Sequence, residues 1–175
     1  ANVGRFDEAI AEQRRIVAIL DEAFAGIPYQ VHIIGGGRLH PRLRRYALHP
    51  RIVMRGFVHD LDPEYLANDV FLFLNNAGPH QAAYTRHIIA WSLGLCLITH
   101  ANSTRALPEI VPGTNALTGA TAAEIAAAAR AAATDGTVNM TLRRGGIATY
   151  RNRFTPAHLA GLLIGETPTA RGNPV

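Results

Sequence analysis

Apolar residues recur at helical spacing through Ile10, Ile16, Val17, Ile19, Leu20, Ala23 and Phe24, and Gly26-Ile27-Pro28 closes that segment. Tyr29 to Ile34 then reads as a buried strand, rich in β-branched residues and ended by Gly35-Gly36-Gly37. A short basic helix over Pro41 to Tyr46 and a strand over Arg51 to Val58 follow. Asp62-Pro63-Glu64 carries helix-start chemistry, with Asp62 as N-cap and Pro63 at the first helical position. Val70 to Leu74 is almost wholly apolar, as a strand covered on both faces must be. The pattern next predicts a helix over Ala82 to Leu93, stopped by Gly94, and a buried strand over Leu95 to Thr99. A short helix over Leu107 to Val111, a short strand over Asn115 to Leu117 and a helix from Thr121 to Ala133 complete the series. Thr121 with Glu124 three residues on is a capping box. Strand and helix alternate throughout, which predicts an α/β fold with a Rossmann-like parallel sheet and helices on both faces.

At 175 residues the chain can bury one sizeable core. We therefore read 1–164 as one domain and 165–175, with its prolines and glycines, as a frayed tail. Ala1-Asn2-Val3-Gly4 resembles the end of a strand whose beginning is missing. With 48% hydrophobic and 17% charged residues, composition excludes a disordered chain. No apolar run reaches the roughly 18 residues of a membrane span, and no leader precedes the first helix. The lone Cys96 excludes an internal disulfide and fits a reducing, cytoplasmic setting.

All 17 basic residues are arginine, so lysine has no part in any chemistry here. Aromatic side chains are few and do not interleave with the arginines, so no nucleic-acid surface is expected. The eight histidines form no H-x-x-x-H or H-E-x-x-H pair, and no metal site is expected. His32 reads as a core or rim residue of its strand, and Cys96 as a small apolar filler. Ser92 lacks a nucleophile elbow, which argues against a serine hydrolase.

In an open parallel sheet, ligands bind outside the carboxyl ends of the strands. Gly4-Arg5-Phe6-Asp7-Glu8 leads into the first helix, where Arg5 with Arg14 or Arg15 can clamp a phosphate. Arginines on a polar surface are otherwise simply solvated. Gly35, Gly36 and Gly37 allow close backbone approach, but His40 occupies the last position of a G-x-G-x-x-G dinucleotide fingerprint.

Taken in order, these segments resemble the C-terminal domain of GT-B glycosyltransferases, most closely family 4. Gly4-Arg5-Phe6-Asp7 resembles that family's G-R-hydrophobic-D loop, and Val31 to Gly37 its strand and glycine turn. Arg51-Ile52-Val53-Met54-Arg55-Gly56-Phe57-Val58 resembles R-h-x-h-x-G-F-V. Ile89 to Ile98 resembles E-A-x-A-x-G-x-P-V-I, and Pro108 to Leu117 resembles P-E-h-V-x-x-G-x-N-G-L. The resemblance implies a nucleotide-sugar donor, UDP- or GDP-linked. Arg5 would lie at the diphosphate, with Arg15 or Arg14 as its second cation, and Gly56, Phe57 and Val58 beside the base. His80, Gln81 and Glu109 complete the implied donor contacts, with no metal or other cofactor required.

The family's two glutamates, eight positions apart, fall at Gln81 and Ile89, and Cys96 replaces the proline after Gly94. The acceptor-binding N-terminal domain, with the catalytic base, lies outside this chain in the resemblance. Peripheral membrane association is common in such enzymes, but nothing in this half speaks to it. Two alternatives stand beside the glycosyltransferase reading: a non-catalytic binding domain that kept the fold, and a nucleotide-sugar 2-epimerase.

Overall fold

The computed structural model describes residues 18–34, 50–74 and 85–163. Helix α1 (18–23) leads to strand β1 (Val31–Ile34). Strand β2 (Ile52–Gly56), helix α2 (Asp62–Leu66) and strand β3 (Phe71–Phe73) follow. Next come α3 (Thr85–Ser92), β4 (Leu97–His100), α4 (Ser103–Ala106) and β5 (Leu117–Gly119). The described chain closes with α5 (Ala122–Thr134), α6 (Gly136–Arg153) and α7 (Pro156–Leu163).

Among the described residues the strands form two parallel sheets, one of β1 with β2 and one in the order β3-β4-β5. Alternate side chains of β3 enter two separate cores. Leu72 and Leu74 join a cluster with Leu20 and Phe24 of the α1 segment and with Ile125 and Ala126 of α5. Phe71 and Phe73 join the other, with Ala90 and Trp91 of α3. Strand β4 does the same, Ile98 facing the first cluster and Leu97 the second, both fully buried. These strands are thus covered on both faces, which is why their sequence is a continuous apolar run rather than an alternating one. The fold is the expected Rossmann-like α/β arrangement.

Several boundaries differ from the pattern, each for a physical reason. The short helix lies at Ser103–Ala106 rather than Leu107 to Val111. Pro108 pushes Leu107 out of the helical region, to φ −137 and ψ 88, so the helix stops before the proline. The last strand is Leu117–Gly119, because Asn115 turns inward as a polar clamp instead of entering the sheet. Asp62 is the first residue of α2 and makes no cap; Asp60 Oδ1 accepts from the Asp62 N–H instead. At α5 the capping box forms: Thr121 Oγ1 accepts from the Glu124 N–H, and Glu124 Oε2 from the Ala120 N–H. Gly94, at φ +65, stops α3 as expected. The short helix at Pro41 to Tyr46, the start of the first helix and the tail 165–175 lie outside the described residues.

No element was expected between Asp135 and Ile164, yet α6 runs for 18 residues there. Asp135 caps it, accepting from the Thr137 and Val138 N–H groups. Its glycines, which hide it from a propensity reading, are what let it dock. A Cβ on Gly145 would sit 2.0 Å from the Thr114 carbonyl oxygen, and one on Gly146 would sit 2.5 Å from Trp91 Cδ1. Arg143 Nε donates to the Gly94 carbonyl at 2.7 Å, and Thr149 Oγ1 accepts from Asn115 Nδ2 at 2.8 Å.

Two outcomes follow from this packing. Gly145→Ala forces a side chain into backbone that cannot give way, and denaturant unfolding should show a loss of about 1–3 kcal/mol or more. Burial raises the Cys96 thiol to about 11, against a smaller opposing influence of Arg143. Iodoacetamide at pH 8 should therefore leave native Cys96 unmodified and alkylate it once the chain is unfolded.

Candidate functional site

The carboxyl end of β2 is shaped by an irregularity. Ile33 pairs with Met54 but Ile34 pairs with Gly56, so Arg55 is an extra residue, a bulge. Gly56 then adopts φ +70, a conformation open to glycine and costly for a side chain. Together they turn the chain outward, and Phe57 stands 86% exposed, with Val58 partly buried beside it. The displaced Arg55 reaches α2, donating from Nε and Nη2 to the two carboxylate oxygens of Glu64 at 2.8 and 2.5 Å. That hydrogen-bonded pair holds the Glu64 carboxyl below the usual carboxylate range and raises the Arg55 guanidinium. The pair ties the turn bearing Phe57 to the helix that follows it.

A second cluster occupies the carboxyl ends of β3 and β4. The Thr99 hydroxyl donates to the Phe73 carbonyl at 2.9 Å. It also lies 3.0 Å from His87 Nε2 and 2.8 Å from Ser103 Oγ. His87, Thr99 and Ser103 are all fully buried. The His87 ring meets Phe73 edge-on, with centroids 4.8 Å apart, and the exposed Arg86 guanidinium lies over the Phe73 ring at 5.8 Å. His100 bridges to the next strand end: Nε2 donates to the Ala120 carbonyl and Nδ1 accepts from the Asn102 N–H. None of these residues was singled out from the sequence. The available signal was a pair of polar residues, Thr99 and His100, closing the apolar run Leu95 to Ile98 at the end where ligands bind.

Of the expected site residues, Gly56 ends β2, and Phe57 and Val58 follow it. Glu109 lies in the loop before β5. Its carbonyl accepts from Asn115 Nδ2 at 2.7 Å, while Asn115 Oδ1 accepts from the Val111 N–H at 2.8 Å. Asn115 is fully buried, and its own carbonyl accepts from Trp91 Nε1 at 2.9 Å. This clamp pins the Glu109 main chain beside the amino end of β5. Spacing alone could not show on which end the loop would be held. Arg5, Arg14, Arg15, Gly35, Gly36, Gly37, His80 and Gln81 lie outside the described residues. His32 in β1 keeps its Nδ1 buried without a partner among the described residues.

Among the described residues no three His, Cys, Asp or Glu side chains gather as a metal-binding group. No helix among them is long and apolar enough to cross a membrane.

No curated protein matches the chain. Two solved structures share its fold, both of HepE from Anabaena, one in complex with UDP and glucose and one with UDP. The first superimposes with a TM-score of 0.65 at 18% identity, covering 85% of this chain and 43% of that one. The second gives 0.63 at 19% identity, covering 85% and 44%. The chain thus spans less than half the length of these structural neighbours. A family model, glycosyl transferases group 1, matches residues 1–135. By that match, this chain belongs to the group 1 glycosyl transferases.

Proposed function

We propose that this chain is the donor-binding half of a glycosyltransferase. It holds a UDP- or GDP-linked sugar for transfer to an acceptor carried by a second, N-terminal domain. The observation that carries this reading is family membership across residues 1–135, which include every expected donor contact. UDP is the first nucleotide to test, since the HepE structures contain it.

In this reading Arg5, with Arg15 or Arg14, offsets the charge that develops on the departing diphosphate, a role for paired guanidinium groups rather than a metal ion. Gly35 to Gly37 give the ligand room against the backbone. Phe57, lifted clear of the fold by the Arg55 bulge, offers an aromatic face to the base, with Gly56 and Val58 beneath it. His80 and Gln81 face the sugar. Glu109 is the remaining expected contact, on the loop whose main chain Asn115 holds before β5. The catalytic base belongs to the acceptor-binding domain.

One observation favours a second reading, a binding domain without transfer activity. Ile89 stands where the resemblance places a glutamate, and it is 39% exposed without any polar function. Both readings require nucleotide binding; only the first requires sugar transfer once the acceptor domain is present.

Isothermal titration should detect UDP or GDP binding to the chain. Arg5→Ala and Arg15→Ala should each weaken it by about 1–3 kcal/mol, the range of a charge-assisted hydrogen bond. Phe57→Ala should also weaken it while leaving unfolding stability within about 0.5 kcal/mol, because so exposed a ring contributes little to the fold. Absence of binding by either nucleotide at millimolar concentration overturns the reading.

A further inference from the structure

The buried cluster around Thr99 can be resolved proton by proton. A carbonyl only accepts, so the single Thr99 hydroxyl proton is committed to Phe73. His87 Nε2, at 3.0 Å, and Ser103 Oγ, at 2.8 Å, must then both donate to the Thr99 oxygen. The His87 ring therefore carries its proton on Nε2. One hydroxyl oxygen thus ties together four elements: α3 through His87, β4 through Thr99 itself, β3 through the Phe73 carbonyl, and α4 through Ser103.

Its place gives this node a consequence beyond packing. Phe73 is the last residue of β3, after which the chain runs toward His80 and Gln81. Thr99 and His100 end β4, and Ser103 begins α4. The hydroxyl thus ties together the carboxyl ends of two adjacent strands, where an open parallel sheet binds its ligand. A valine would fill the same volume with no polar group to satisfy, so a fully buried threonine with three polar partners is an expensive choice for packing alone.

We infer that Thr99 and His87 are positioning residues of the nucleotide-sugar site, acting through the Thr99 hydroxyl that holds the carboxyl ends of β3 and β4 together. This inference rests on the donor-binding reading above. Thr99→Val keeps the shape but leaves the Phe73 carbonyl without this donor and removes the acceptor that His87 and Ser103 share. Thr99→Ser restores the hydroxyl. His87→Leu removes the donor, whereas His87→Gln places an amide N–H where the ring Nε2–H was.

The test is titration of the 175-residue chain and these four variants with UDP and GDP, with circular dichroism to confirm folding. Nitrogen-15 NMR of the His87 ring reports which nitrogen is protonated. Thr99→Val and His87→Leu should weaken binding about tenfold or more, and Thr99→Ser and His87→Gln should stay within about threefold of the parent chain. The ring should be found as the Nε2–H tautomer. If Thr99→Val does not fold, the leucine and glutamine variants of His87 make the comparison alone. Equal binding by all folded variants, or an Nδ1–H tautomer, overturns the positioning role and leaves nucleotide binding standing. Failure of the parent chain to bind either nucleotide overturns both.

Discussion

Burial of β4 on both faces is the constraint on which the rest of this fold depends. Leu97 and Ile98 are adjacent, point to opposite sides and are both fully hidden from water. A strand in that position needs a helical layer above and below, supplied by α1 and α5 on one face and α3 with the end of α6 on the other. Once both faces are closed, only the strand ends can meet a ligand. Parallel pairing then makes the two ends unlike, gathering the outgoing loops at the carboxyl end.

That end is where the chain departs from an idealised sheet. At β2, a bulged Arg55 and a left-handed Gly56 expose an aromatic ring, and the Arg55–Glu64 pair braces the turn. At β3 and β4, a buried hydroxyl gathers a histidine, a serine and a main-chain carbonyl. Each device spends local stability on geometry: a broken ladder in the first, desolvated polar groups in the second. The amino end shows the opposite character. There Asn115 satisfies the Glu109 to Val111 loop, Trp91 covers it, and two glycines of α6 let the helix press against it.

Helix α6 starts just beyond the residues matched by the family model, yet it is wired to the core of the matched part. Thr149 accepts from Asn115, Arg143 holds the Gly94 carbonyl, and Tyr150 and Phe154 join the cluster around Trp91. The region that defines the family by sequence is therefore completed physically by a segment outside it. This is also the segment that the sequence concealed most effectively. Gly136, Gly145 and Gly146 argue against a helix one residue at a time, because isolated glycine weakens a helix by about 1 kcal/mol relative to alanine. At Gly145 and Gly146, only the neighbouring Thr114 carbonyl and Trp91 ring explain why no larger residue would fit.

The sequence by itself determined the alternation of elements, the two-faced burial of the central strands, the stop at Gly94 and the cap at Thr121, because these depend on local periodicity and capping. It also carried the family's ordered motifs. It marked Phe57 as a base contact without showing the bulge that exposes it, since a register shift arises only when two strands are paired. It could not say at which end of β5 the loop bearing Glu109 is pinned, because spacing carries no such information. The tertiary structure decided that through the side-chain amide of Asn115. It likewise assembled His87, Thr99 and Ser103, which no periodicity connects, because a buried hydroxyl chooses its partners by proximity in space and not along the chain.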